Sequence, residues 1–370
     1  MRKIVSKIHL WISVPLGLVI TITCFTGAML VFEKEITAIC TNNLSNVEAE
    51  GKAIPFEDII AGVSQHLPAG VTVTGITVSP DPEEAYMVNI SKPRKVALYV
   101  NQYTGDILGS NERLPFFKVM FRMHRWLMDA KPSEGLGIGR TVVGISTIGF
   151  VFILFSGIIL WWPRNKKMLK RRLNIVSRLG WRRFLYDLHV TGGFYAALLL
   201  LAMSLTGLTW SFNWYRSGFY KMLGVEMVNN NGNGNSKNKA ITIEKSDSAF
   251  ENKESKYALW EEVYFKVAAI NPDFNSINVS DGSVSVQSGN YGNTRAADRY
   301  YFDSETGDIT SVKLYSESAP QNKLRGWIYS VHVGSWGGLF TRILYFLVAI
   351  LGASLPLTGY YLWIKRIRRR

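Results

Sequence analysis

Charge is scarce in this 370-residue chain: Asp, Glu, Lys and Arg make up 19% of it, against 47% hydrophobic residues. That balance excludes intrinsic disorder, which needs low hydrophobicity and high charge. Acidic residues are the rarer sign, 28 against 42 basic ones, leaving a net charge of +14. Cysteine is nearly missing. Cys24 and Cys40 fall inside and just beyond the first apolar run, so no disulfide framework can hold the polar segments. No glycine-rich dinucleotide fingerprint follows a strand, which argues against a nicotinamide or flavin-nucleotide domain in the chain. Histidine is sparse too, with five.

The positive charge that is present is concentrated. Residues 1–7 carry three basic side chains, residues 164–183 carry nine and no acid, and residues 364–370 carry five. Each cluster abuts a long apolar run, as the positive-inside pattern of membrane proteins requires. A nucleic-acid face would gather charge and groove-reading residues on one domain, so no nucleic-acid partner is expected.

Four apolar runs, at 10–32, 141–162, 190–210 and 343–363, reach the ~20 residues that cross a bilayer. The first is longer than a signal-peptide core of ~7–15 residues and reads as a retained anchor. Trp11, Trp161, Trp162, Trp210 and Trp363 lie near run ends, where an aromatic belt belongs. The basic clusters put the N-terminus, the loop and the C-terminal tail in the cytoplasm. Residues 33–139 and 211–341 then lie outside, which fits a bacterial inner membrane and a periplasm. The organisation expected is a first span (1–33), an outside domain (34–113), a histidine segment with the second span (114–163) and a basic cytoplasmic loop (164–186). The third span (187–212), a second outside domain (213–320), a second histidine segment with the fourth span (321–364) and a basic tail (365–370) follow.

The two outside segments read alike. In the first, an amphipathic helix at 55–67 precedes strands at 71–79, 85–91 and 96–101, then the turn Tyr103-Thr104-Gly105-Asp106-Ile107 and a further strand. In the second, a helix at 257–270 precedes strands at 275–279, 283–287 and 298–302, and the turn recurs as Glu305-Thr306-Gly307-Asp308-Ile309. Residues 229–238 form a polar linker.

The spans carry the same period. His9 precedes Gly27 by 18 residues, and His189 precedes Gly207 by 18. Arg140 precedes Gly157 by 17, and Arg342 precedes Gly359 by 17, with Trp161 and Trp363 four residues further on. Thr26, Thr206, Ser156 and Thr358 stand immediately before those glycines. The expected fold is therefore membrane α-helical: four transmembrane helices as two parallel repeats about an axis along the membrane normal, each with an inserted α+β domain.

Four of the five histidines occupy matched positions. His9 and His189 begin spans one and three, while His124 and His332 lie just outside spans two and four. Ionisable groups at membrane depth usually mark function. Symmetry would set His9 opposite His189 and His124 opposite His332, so that each pair grips one planar ligand. Haem iron with two axial imidazoles suits that arrangement. Gly17, Gly192 and Gly193 leave room for a macrocycle, or serve plain helix packing. A lone interfacial histidine that caps a helix is the alternative for each member. A bare metal ion is the rival for the outer pair, with only Asp129 and Glu134 near in sequence. Arg140, Arg342 and Arg125 are candidate partners for haem propionates, or snorkel to head groups. Trp126, Trp327, Tyr329 and Trp336 crowd the outer pair as belt residues or as a way out to an acceptor. His66, which has no counterpart, reads as a helix-end residue.

The two-copy arrangement resembles the PepSY-associated transmembrane proteins. The resemblance runs over nearly the whole chain, through His9-Leu10-Trp11, the Thr-Gly-Asp turns, Met123-His124-Arg125-Trp126, and Asp187-Leu188-His189 with Gly192-Gly193. It implies PepSY-like outside domains. It also implies a transmembrane ferric or ferrisiderophore reductase with haem b, two per chain, on His9, His189, His124 and His332. The partners implied are a ferric siderophore or other Fe(III) chelate, a quinol or separate reductase as donor, and the bilayer. One departure stands out: His332 sits in Val331-His332-Val333-Gly334 and 10 residues before Arg342, whereas His124 is 16 before Arg140. The alternative function is a non-catalytic, membrane-anchored module that binds a peptide or protease. The lack of membrane-depth carboxylates argues against a proton-coupled carrier.

Overall fold

A computed structural model describes residues 1–129, 137–176, 178–226, 256–289 and 292–368. Glu134, the polar linker and the last two arginines lie outside the described residues. The helices are α1 (Arg2–Val31), α2 (Glu33–Cys40), α3 (Asn42–Ser45), α4 (Phe56–His66), α5 (Pro115–Trp126), α6 (Ile138–Trp161) and α7 (Lys166–Arg172). Then come α8 (Trp181–Asp187), α9 (Gly193–Ser211), α10 (Asn213–Met222), α11 (Lys256–Ile270), α12 (Pro320–Val333) and α13 (Gly338–Ile367). A π-helical turn, Leu188–Gly192, joins α8 to α9 without a break.

Four helical stretches are long and apolar enough to cross a membrane: Arg2–Val31, Ile138–Trp161, Trp181–Ser211 and Ser335–Ile367. Three of them extend beyond the apolar runs by a turn or more. Polar and basic residues there keep helical backbone bonds and let their side chains snorkel, so hydropathy alone marks the greasy centre and misses the ends. The four stretches pack α1 against α6 and α13, and α9 against α6 and α13. Their shared core takes Ile20 from α1, Phe150 and Leu154 from α6, Ala196 and Leu200 from α9, and Val348 and Leu355 from α13. Large apolar side chains such as Leu18, Phe152, Leu198 and Leu347 stay exposed on the rim, as expected where lipid is the solvent.

The polar segments do not form two separate domains. Their strands join one antiparallel sheet of order β4-β3-β2-β1-β5-β6-β7-β8. These are β1 (Val73–Val78), β2 (Tyr86–Ile90), β3 (Ala97–Val100) and β4 (Ile107–Ser110) from the first segment, and β5 (Phe274–Ser280), β6 (Ser283–Ser288), β7 (Asp298–Phe302) and β8 (Ile309–Lys313) from the second. The seam is the β1–β5 pair, with Ile76 opposite Val279 and Val78 opposite Ile277. Gly75 is needed at this seam, because a Cβ there would lie 2.6 Å from the Val279 carbonyl oxygen. Helices α4 and α11 cover one face. Ile59, Ile60 and Val63 meet Trp260, Val263 and Val267 over the strand residues Ile76, Val88, Ile277 and Val286 in a single core. The two hydrophobic faces were each legible in sequence. Their fusion was not, since strand pairing between segments 200 residues apart leaves no local signal.

Both Thr-Gly-Asp turns are built alike. The Asn101 side chain accepts from the amides of Tyr103 and Thr104, and Asp303 does the same for Glu305 and Thr306. Gly105 and Gly307 then take positive φ, 81° and 71°, which glycine adopts at no steric cost.

Candidate functional site

The four matched histidines meet in two pairs, one at each end of the helix bundle. His9 and His189 lie at the end bearing the basic loop, with ring centroids 6.4 Å apart. His124 and His332 lie at the end nearer the sheet, with centroids 6.2 Å apart. Two imidazoles bonded through Nε2 to opposite faces of one metal, at about 2.0 Å each, put their ring centroids roughly 6 Å apart. The interplanar angles, 89° and 55°, are no obstacle, because rotation about the nitrogen–metal–nitrogen line leaves them free.

Each ring is aimed by a helix other than its own. Nδ1 of His124 lies 2.9 Å from the Thr23 carbonyl and 3.5 Å from the Thr26 hydroxyl, both on α1. Nδ1 of His332 lies 3.0 Å from the Met203 carbonyl and 3.2 Å from the Thr206 hydroxyl on α9. Nδ1 of His189 lies 3.0 Å from the Leu355 carbonyl and 3.0 Å from the Thr358 hydroxyl on α13. Nδ1 of His9 meets the Ser156 hydroxyl on α6 at 2.9 Å, and that hydroxyl donates to the Ile153 carbonyl at 2.9 Å. A carbonyl only accepts, so Nδ1 of His124, His189 and His332 carries the proton, and the Ser156 hydroxyl, which donates to Ile153, accepts from Nδ1 of His9; Nε2 is left as a lone-pair donor in all four. That is the outer-shell arrangement that orients metal-bound imidazoles.

The glycine after each hydroxyl residue provides the room. A Cβ would approach the Cε1 of the facing ring to 2.9 Å at Gly27 and His124, 3.0 Å at Gly207 and His332, 3.2 Å at Gly359 and His189, and 3.6 Å at Gly157 and His9. The Thr-Gly and Ser-Gly dipeptides, visible in the sequence only as spacing marks, are thus the seats of the histidines. His332, despite its different context, is seated like His124. The difference in spacing to Arg140 and Arg342 is taken up by the connectors. One is the short 3₁₀ turn Ser335–Gly337. The other is the longer segment after Trp126, which is only partly described.

Burial holds the imidazoles of His124 and His332 below the ordinary histidine range, His332 at about 4, and Arg125 adds repulsion at both. Both are therefore neutral at pH 7, as a ligating imidazole must be. A cavity of about 450 Å³ opens at the basic-end pair, bounded by His9, His189, Gly157, Gly193, Phe194 and Tyr360 among others. Of the glycines expected to make room, Gly193 does border it. Gly17 borders it too, but its own space is taken by Tyr360, whose hydroxyl would touch a Cβ there at 2.4 Å. Among the described residues no group of three or more His, Cys, Asp and Glu could hold a bare metal ion. Asp129 instead accepts from the Gly139 amide. Two opposed nitrogens with an apolar wall suit a planar tetradentate macrocycle, which supplies the other four ligands itself.

The candidate arginines part company. Arg342 is filled: its fork is held by the Glu35 carboxylate and the Val31 carbonyl, with the guanidinium 5.3 Å from the Phe32 ring centre. It offers little to a propionate, and Glu35, which is far away in sequence, gave no sign of it. Arg140 donates to the Trp210 carbonyl at 2.5 Å, while its Nε is buried with no acceptor among the described residues. Arg125 stands over the rings of Phe121 and Trp126. Burial, then repulsion from Arg140, lowers the Arg125 pKa. Trp210 packs edge-on to His332, with ring centroids 5.1 Å apart, and Trp161 is buried against Phe194, so neither is a simple belt residue. Trp327 and Trp336 are half-exposed, and Tyr329 carries Arg295 over its ring. His66 is exposed and turns to the Gly62 carbonyl of its own helix. One buried carboxylate stands at the basic end of the third long apolar stretch. Asp187 is 2% exposed, pairs with Arg183 at 2.8 Å and accepts from the Val176 amide. It anchors the basic loop, and the ion pair makes its burial tolerable.

No curated protein is similar enough to this chain to count as a match. The family described as PepSY-associated TM region matches residues 6–366. With paired, inward-aimed histidines in a four-span bundle under a single α+β layer, the chain belongs to the PepSY-associated transmembrane family.

Proposed function

We propose that the protein is a b-type di-haem electron carrier of a bacterial inner membrane that reduces ferric iron, in the form of a siderophore or similar chelate, on the periplasmic side. The observation that carries this is the double pair of histidines, each with Nδ1 tethered and Nε2 free, at the ring separations a shared metal requires. The matched seats, and a sheet whose order runs outward alike on both sides of its seam, support two parallel repeats. The basic loop and tail support a cytoplasmic placement for that end of the bundle.

His9 with His189, and His124 with His332, would each hold one haem b. When bound there, haem would supply one-electron transfer. The protein's own part is to fix the tautomers through three backbone carbonyls and the Ser156 hydroxyl, and to wall the basic-end cleft with Phe150, Leu154 and Leu355. One electron turns Fe(III) into Fe(II), which hard oxygen ligands bind less tightly, so a siderophore would release it. Without a dinucleotide fingerprint in the sequence, the donor would be a membrane quinol or a separate reductase.

A haem count per chain by pyridine haemochrome tests the reading: two are expected. His9→Ala or His189→Ala should leave one, as should His124→Ala or His332→Ala. A colourless preparation from haem-replete cells, or four single variants with full haem, would sink it and leave a membrane-tethered binding module.

A further inference from the structure

Charge around the sheet-end histidine pair is divided unevenly. Arg342 on α13 is answered by Glu35, and Arg113, just before α5, by Glu33. Arg125, Arg140 and Arg216, on α5, α6 and α10, form no ion pair with a carboxylate among the described residues. Arg140 grips the last turn of α9 through the Trp210 carbonyl, beside the ring that packs on His332. Arg216 lies six residues after Trp210, on α10, and among the described residues its side chain reaches only that of Asn213, at 3.3 Å. The Nε atoms of both Arg140 and Arg216 are buried without an acceptor among the described residues. Arg125 is the residue next to His124, and its charge is felt at both sheet-end histidines. The charge of Arg140 is in turn felt at Arg125, and that of Arg216 at Arg140.

A buried guanidinium N–H without an acceptor forfeits a charge-assisted hydrogen bond. Like charges gathered in a low-dielectric corner repel one another as well. Both costs vanish together when an anion with two oxygens sits among the three forks, since guanidinium and carboxylate match bidentately. We propose that Arg125, Arg140 and Arg216 form an anion subsite that takes the carboxylates of a ferric chelate beside the sheet-end histidine pair. The identity of the chelate as an electron acceptor rests on the function proposed above; the subsite itself does not. It selects negatively charged, carboxylate-bearing chelates over uncharged hydroxamate ones. The other source of a carboxylate at this place is a porphyrin propionate.

The test uses the full-length protein in detergent and Ga(III) citrate, a redox-inert stand-in for the ferric complex, with titration calorimetry. Wild type should bind it, more weakly as NaCl rises. Arg216→Gln should weaken binding by about tenfold or more, and Arg216→Lys should recover part of the loss. Uncharged Ga(III) tris(acetohydroxamate) should not distinguish wild type from Arg216→Gln. Haem per chain is counted in the same samples. Full haem with weakened citrate binding assigns the carboxylate to the chelate. Lost haem with unchanged citrate binding assigns it to the porphyrin and overturns the proposal, as does unchanged citrate affinity in both Arg216→Gln and Arg140→Gln. Ga(III) binding needs neither haem nor reduction. A colourless protein that still binds the citrate complex would therefore end the redox reading and keep the subsite.

Discussion

Three of the histidine rings are steered by a carbonyl four residues before a glycine on a neighbouring helix, and for all four a hydroxyl residue beside such a glycine meets Nδ1. Gly27→Ala should disturb the sheet-end pair, because its Cβ would stand 2.9 Å from Cε1 of a ring tethered on its other side. Gly157→Ala should be tolerated at 3.6 Å, an ordinary contact, and alanine also favours the helix. Reduced-minus-oxidised spectra should show half the haem signal in the first variant and all of it in the second. Thr206→Val removes a hydroxyl but not the Met203 carbonyl. Outer-shell losses of this kind typically weaken metal binding about tenfold or somewhat more, so haem retention through gel filtration should fall without vanishing. Equal retention in Thr206→Val and wild type would mean that the carbonyl alone holds the ring.

At the scale of elements, equal spacing is met by unequal geometry. His9 and Gly27 are 18 residues apart on a helix containing Pro15, whereas His189 and Gly207 are 18 apart across a π turn. Such turns carry one extra residue and commonly mark functional positions; no residue pattern announced this one. Helix α2 is tied to α13 by Glu35, whose carboxyl the hydrogen-bonding Arg342 guanidinium holds below the usual carboxylate range. A lowered folded-state pKa means that the tie is fully present above the unfolded value of about 4.3. It is lost as pH falls further, through the folded-state value. Thermal midpoints of wild type and Glu35→Gln should therefore differ at neutral pH and converge under acid conditions. A gap that persists in acid would show that the tie is not electrostatic. Glu35 is half-exposed, so the gap should be small.

On the scale of the whole molecule, one sheet binds the two halves of the chain. Trp260 is 1% exposed between α11 and the strands of both halves. Trp260→Ala should cost about 3–5 kcal/mol, read as a lower unfolding midpoint by circular dichroism of the sheet signal. A loss under 1 kcal/mol would mean that the layer collapses onto the gap. Orientation can be read with the native thiols. Cys40 is exposed at the end of α2, and Cys24 packs against the Gly352 position on α13. A membrane-impermeant maleimide should label intact spheroplasts at Cys40 alone. Labelling that requires lysis would reverse the topology.

Composition and period made the spans, the charged clusters, the turns and the four histidines legible, because helix amphipathicity, turn chemistry and the cost of charge in lipid all act locally. The histidine seats at Thr23, Ser156, Met203 and Leu355, the capture of Arg342 by Glu35, the unanswered arginines and the fused sheet were decided only in three dimensions. Each depends on which helix or strand faces which across tens to hundreds of residues. Packing of the whole chain settles such pairings, and no local propensity encodes them.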